Sequence, residues 1–249
     1  MTTKIGIRGD VLAGIVASCL LLAGRAHAAD TETAERVATP AELLGLAEAT
    51  AVSRTLAADR RVSFRVRVPP GEQAHGVLVF VKPVESGALP AGWAQVLDQR
   101  DLLWIAADGF GNGVPTAQRV LAALMAVELA KRNARINPAR VYVSGMSGGG
   151  RVASQVAVRF PRRFTGALYI VGADFWSKSE LPLLPFIQAN RYVFLTGERD
   201  FNRREMQRVH TQYLDAGATR ALLIDLPGFG HEYPAPADLA RALEFLDER

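Results

Sequence analysis

Cysteine is almost missing from this sequence. Of 249 residues one is a cysteine, Cys19. A single thiol cannot close an intramolecular disulfide or build a cysteine-based zinc site. Histidine is scarce too, with four residues, His27, His75, His210 and His231. None stands in a metal-ligand spacing such as H-E-x-x-H, so no metal or other cofactor is expected. No unit recurs at a period of 20 to 50 residues, which argues against a solenoid or propeller. The net charge is only +4, too small a surplus to indicate nucleic acid as a partner. What remains is ordinary: 49% hydrophobic and 22% charged residues, the profile of one globular domain.

The N-terminus has its own pattern. Lys4 and Arg8 make a positive start, Val11 to Ala23 is apolar, and Ala26-His27-Ala28 puts small residues where a signal peptidase reads. This predicts a secretory signal peptide over 1–28, too short with its flanks for a stable membrane span, and a periplasmic or secreted protein. Val16-Ala17-Ser18-Cys19 supports an alternative, a lipoprotein anchored through Cys19. The apolar run continues past Cys19 as Leu20-Leu21-Leu22, which favours the first reading. Cleavage after Ala28 removes the only cysteine, so the mature domain must rely on its core. It also removes three cations and one anion, leaving a surplus of two positive charges.

Residues 29–60 read as a polar N-terminal segment, loosely ordered to residue 38, with a short helix. Thr39-Pro40-Ala41-Glu42 is a capping box with proline at the first helical position and predicts that helix to about Thr50. From residue 61 to the end the pattern is that of an α/β domain. Arg61–Val68 alternates as a half-exposed strand. Gly76–Val81, Leu102–Ala107, Val141–Ser144, Gly166–Val171, Arg191–Thr196 and Ala221–Leu226 are apolar runs without alternation. Helical spacing falls between and after them, over Ala117–Arg132, through Arg159, over Arg203–Ala216 and over Ala237–Asp247. Buried strands separated by amphipathic helices indicate a mostly parallel sheet covered on both faces.

One segment carries chemistry. Val141-Tyr142-Val143-Ser144-Gly145-Met146-Ser147-Gly148-Gly149-Gly150-Arg151 contains G-x-S-x-G between an apolar strand and a helix. A serine hydroxyl is a poor nucleophile and has to be presented on a tight turn where a base can reach it. Glycines on both sides allow the backbone crossing, and the helix opening at Gly148 aims free N–H groups at a developing oxyanion. A glycine turn holding a phosphate is the competing explanation, although neither G-x-x-x-x-G-K-[ST] nor G-x-G-x-x-G is completed. For the base, His231 lies in Leu226-Pro227-Gly228-Phe229-Gly230-His231, a glycine-rich loop after the last strand. His75 precedes the first buried strand and His210 falls within a helix. The acid is expected between serine and histidine in chain order. Asp200, after the penultimate strand, is the first candidate and Asp174 the fallback.

The runs Val143 to Arg151, Gly197-Glu198-Arg199-Asp200-Phe201-Asn202 and Pro227-Gly228-Phe229-Gly230-His231-Glu232 resemble secreted α/β-hydrolases of the esterase, polyhydroxybutyrate-depolymerase-like and prolyl-oligopeptidase-like groups. The resemblance spans residue 61 to the end. It implies an α/β-hydrolase fold and says little of a substrate. Many relatives carry His-Gly at the end of the first buried strand, followed by the second oxyanion donor. Lys82-Pro83 stands there in this chain, so the donors are expected to be the N–H groups of Gly148 and of Val84 or a neighbour, because proline has none. Phe175 and Trp176, just beyond a strand end, are expected to bind substrate; Trp93 and Tyr233 are further aromatic candidates. Arg151 suits a protein carboxylate or an acidic substrate group. The connection from Asp174 to Asn190 holds Pro182 and Pro185 and is too short for a large lid. These features predict a serine hydrolase acting on small-molecule or polymer-borne esters with short acyl groups. A peptidase or amidase with the same residues, and a non-catalytic binding protein on the same fold, are the alternatives.

Overall fold

A computed structural model of the protein describes residues 33–52, 54–176 and 178–248. The signal-peptide and lipoprotein readings fall on residues outside these. The described chain forms one eight-stranded sheet in the order β1-β2-β4-β3-β5-β6-β7-β8. The strands are β1 Ala34–Ala38, β2 Val62–Arg67, β3 His75–Val81, β4 Leu102–Ala107, β5 Ile136–Met146, β6 Gly166–Ile170, β7 Arg191–Gly197 and β8 Ala221–Leu226. The pairs β1·β2 and β2·β4 are antiparallel, whereas β4, β3 and β5 to β8 run parallel.

The central parts of the parallel strands are apolar because both faces are covered there, as β3 and β6, buried along their whole length, show. Val77, Val79 and Val81 of β3 point to one side, where they join Val120 and Leu124 of α4 (Thr116–Asn133), Val156 of α5 (Gly148–Arg159) and Met206 of α7 (Arg203–Asp215). Leu78 and Phe80 point to the other, against Trp93 and Leu97 of α3 (Trp93–Gln99) and Leu239 and Leu243 of α8 (Pro236–Asp247). That is the period of two of a strand, applied twice. With each fully buried large side chain contributing about 1.5–3 kcal/mol, these two layers hold the fold without covalent help.

Three elements differ from the sequence reading. The polar stretch Ala34–Ala38 is not loose: it pairs with β2 from Ala34↔Val66 to Ala38↔Val62, so the sheet begins before residue 61. Four of its five residues are exposed, and an edge strand solvated on both faces leaves no hydrophobic alternation to read. The helix opened by Thr39 stops at Gly45, whose φ is +79°, giving α1 (Pro40–Leu44) and α2 (Leu46–Val52) instead of one helix. Its capping box is formed, with Glu42 N–H donating to Thr39 Oγ1 (3.3 Å) and Thr39 N–H to Glu42 Oε2 (2.7 Å). Finally, α3 was hidden by its mixed composition, yet it buries Trp93, Ala94, Val96 and Leu97. Trp93 is therefore core and not a site aromatic; its Nε1–H donates to the Pro234 carbonyl at 3.1 Å.

Among the described residues, no helix is long and apolar enough to cross a membrane. Between β6 and β7 the chain makes a 3₁₀ turn over Lys178–Leu183 and the short helix α6 (Leu184–Ala189). No large lid is built there.

Candidate active site

The C-terminal ends of β5, β7 and β8 converge on one cluster. Ser147 sits between the last residue of β5 and the first of α5. Its backbone has φ +55° and ψ −123°, and its N–H donates to the Ile170 carbonyl at 2.8 Å. A non-glycine residue in this region costs on the order of 1–3 kcal/mol and persists only where the surroundings enforce it. The enforcing contact is close packing of glycines. A Cβ on Gly145 would lie 2.4 Å from the Gly149 carbonyl carbon, and one on Gly149 would lie 2.0 Å from the Val81 oxygen. Only the missing side chains let α5 start against the ends of β5 and β3, and this turn lifts the serine hydroxyl clear of the sheet.

His231 Nε2 lies 2.8 Å from Ser147 Oγ, and its Nδ1 lies 2.8 Å from Asp200 Oδ1. The Asp200 side chain is fully buried. Besides the imidazole it accepts from Thr196 Oγ1 at 2.7 Å and from the Asn202 N–H at 3.1 Å. An Asp oxygen at Nδ1 calls for the Nδ1–H tautomer, which leaves Nε2 as the acceptor for the serine proton. The separation of acid and base is set by their loops. Glu198 N–H donates to Leu226 O (3.0 Å), Arg199 N–H to Phe229 O (2.9 Å), and Gly228 N–H to Glu198 Oε2 (2.9 Å). The chain Ser–His–Asp can therefore move a proton off the hydroxyl while a buried carboxylate orients the ring.

Gly148 is the first residue of α5, and Val84 lies in the loop after β3, half exposed. Neither N–H meets an acceptor among the described residues. The two segments are bridged by the loop after β4: Asn112 N–H donates to Pro83 O at 2.9 Å, and the Asn112 carboxamide packs on the Gly148 Cα.

Other candidates lie elsewhere. The Asp174 carboxylate accepts from Arg151 Nη1 at 3.0 Å and Gln155 Nε2 at 3.1 Å, not from His231. Arg151 also bonds Glu205 through both terminal nitrogens, so protein carboxylates occupy it. Phe175 and Trp176 stack on each other (4.2 Å between ring centroids) and stand edge-on to Tyr213. They line a groove of about 630 Å³ between α5 and α7, to which neither Ser147 nor His231 contributes. The two rings therefore face a groove other than the one at Ser147. After β6 Arg151 of α5 holds Asp174, immediately before the two rings.

His75 pairs with Asp101, and His210 bonds the Ala221 carbonyl at 3.2 Å. Tyr233, half-buried, packs against Phe80 and Trp93 of the core and under the Lys82 ammonium. One aromatic was missed. Phe201 is 76% exposed and stacks on the His231 ring at 4.0 Å, with 23° between the planes. Its only sequence signal was its place next to Asp200. Among the described residues no group of three or more His, Cys, Asp or Glu could hold a metal ion.

No protein-family model and no curated protein matches the sequence. Solved structures do match the fold. An S-formylglutathione hydrolase from Staphylococcus aureus superposes with a TM-score of 0.60 at 12% identity, covering 76% of this chain and 91% of that one. The esterase Est22 gives 0.63 at 12% identity, covering 85% and 78%. EstE1, a thermostable carboxylesterase cloned from a metagenomic library, gives 0.60 at 14% identity, covering 85% and 99%. With its parallel sheet, its serine on the strand–helix turn and these likenesses in architecture, the chain is a member of the α/β-hydrolase fold.

Proposed function

We propose that this protein is a serine hydrolase of carboxylic esters. The observation that carries the reading is the continuous hydrogen-bonded line from Ser147 Oγ through His231 to Asp200, with 2.8 Å at each step. In the proposed cycle His231 Nε2 takes the serine proton as Oγ attacks the ester carbonyl. The Gly148 and Val84 N–H groups receive the oxyanion, and Asp200 stabilises the imidazolium. The imidazolium then protonates the departing alcohol. Water, deprotonated by His231, releases the acyl group from Ser147 and restores the hydroxyl. All of this is proton transfer and acyl transfer, for which the chain's own residues suffice.

The structures it resembles include esterases, which favours an ester over a peptide. The substrate reading is a small molecule, or an exposed ester on a polymer, with a short acyl group. The connection after β6 is spent on a 3₁₀ turn and one short helix, and Phe201 presents an exposed ring beside the base. The signal-like N-terminus supports a working enzyme in the periplasm or outside the cell. N-terminal sequencing of the exported protein checks this, with Ala29 as the expected first residue.

The decisive experiment is covalent. A fluorophosphonate probe is expected to label the wild-type protein on Ser147. Ser147→Ala is expected to abolish labelling and lower ester turnover by about 10⁴-fold or more, with an unchanged circular-dichroism spectrum and melting transition. Near-normal turnover in that variant would refute the proposal, and faster cleavage of peptide amides than of short esters would convert it to a peptidase.

A further inference from the structure

Arg119 is an unusual residue for its place. It lies on α4 inside the apolar layer, 4% exposed, among Val120, Leu121 and the alanines of the same helix. Among the described residues no carboxylate hydrogen-bonds it, although Glu85 is close enough to favour its charged form. A buried guanidinium without an ion pair is expensive unless its donors are all met. Each of its three nitrogens donates to a backbone carbonyl, three of the five N–H groups in all: Nε donates to Phe110 O at 3.1 Å, Nη1 to Gly148 O at 3.3 Å and Nη2 to Lys82 O at 2.8 Å.

Those three carbonyls belong to three different segments, and each segment is part of the site. Lys82 begins the loop that carries the Val84 N–H. Gly148 carries the other free N–H, one bond away from Ser147. Phe110 belongs to the loop whose Asn112 joins Pro83 to the face of Gly148. The planar, five-donor fork of arginine can hold three acceptors at set angles, which a lysine ammonium on its flexible stem cannot reproduce. The loop of Val84 is also tied by Asn112 N–H on Pro83 O (2.9 Å) and Gly109 N–H on Glu85 O (2.6 Å), but of these ties only the Arg119 fork bonds the Gly148 and Lys82 backbones at once.

We propose that Arg119 is the positioning residue of the oxyanion hole, a guanidinium clamp that sets the distance between the Val84 and Gly148 donors. The inference rests on the ester-hydrolase reading above. Arg119 touches no reacting atom; it acts on the transition state through the two N–H groups. Such donors are worth about 10²–10³ in turnover when one is lost outright, and a displacement of the order of 1 Å costs up to about 10²-fold.

The test uses Arg119→Met, which fills similar volume without donors, and Arg119→Lys, which keeps the charge but loses the fork. Turnover and KM on a short aryl ester are measured beside affinity for an aryl trifluoromethyl ketone, whose hemiketal oxyanion needs the same donors. The expected result for Arg119→Met is a 10- to 100-fold loss of kcat, KM within about twofold, and a loss of ketone affinity by the same factor as kcat. Arg119→Lys is expected to fall between it and the wild type. Arg119→Lys decides alone if the methionine variant does not fold. A lysine variant with wild-type kcat and ketone affinity would overturn the proposal, as would losses confined to KM. Fluorophosphonate labelling of the wild type separates the two levels: no labelling on Ser147 defeats the ester-hydrolase reading, whereas normal labelling with unaffected Arg119 variants defeats the clamp alone.

Discussion

At the scale of single residues, two aspartates compete for the acid role, and their partners separate them. Asp200 has a fully buried side chain on the imidazole of His231, whereas Asp174 is a partly exposed partner of Arg151 and Gln155. Asp200→Asn keeps the shape but offers an amide that can donate to Nδ1, which favours the wrong tautomer. Turnover is expected to fall by about 10³- to 10⁴-fold. Asp174→Asn removes a charge from an ion pair one-third exposed, so activity should stay within a few-fold and stability should drop by no more than about 1 kcal/mol. Parallel kinetics of the two variants decide the matter; a large loss at Asp174 with little at Asp200 reverses it. Ser147, His231 and Asp200 were all legible as candidates because each sits on a glycine-marked turn after an apolar strand. Phe201 and Arg119 were not. An exposed phenylalanine and a helical arginine are common in any sequence, and only their neighbours in space give them meaning.

At the scale of elements, the loop that leaves β3 is held by a second buried cation. Lys82 Nζ donates to the Ala88 carbonyl at 2.7 Å and stands 4.9 Å from the centre of the Tyr233 ring. Burial pushes its pKa down to about 8, with Asp108 pulling the other way. In the unfolded chain the group titrates near 10.4. Between these values the unfolded state holds a proton that the folded state has shed, so this residue makes stability rise with pH across that window. Below about pH 8 the cost of the buried charge is fully present. Urea unfolding at pH 7 and pH 10 should show the wild type gaining on Lys82→Met by at most roughly 3 kcal/mol. A constant difference between the two proteins would show that the ammonium is not strained by its surroundings. The helix α4 makes a related point about legibility. Its sequence reads as one apolar face, yet Arg119–Val127, Leu129 and Ala130 are all buried. It is enclosed because α1 and α5 pack on it as well as the sheet, which periodicity along one helix cannot reveal.

At the scale of the whole molecule, the described residues build no large lid and Phe175 and Trp176 line a separate groove, which leaves little apolar wall for a long chain. Acetyl to butyryl esters are expected to be hydrolysed at least tenfold faster than palmitoyl esters, without activation at an oil–water interface. A rate profile that peaks at long acyl chains would show that an apolar channel forms during turnover. The mostly parallel sheet and the strand–turn–helix around Ser147 could be anticipated from local pattern, because buried parallel strands and glycine turns impose their composition on short stretches of chain. The antiparallel edge strand β1 could not, since a strand wet on both faces has no alternation to show. Nor could the site's finer geometry. Whether His231 meets Asp200 or Asp174, and which carbonyls besides that of Phe110 surround Arg119, depends on contacts between residues 29 to 84 positions apart. Such contacts are set by how two layers of helices close over a twisted sheet, and local pattern carries no record of that closure.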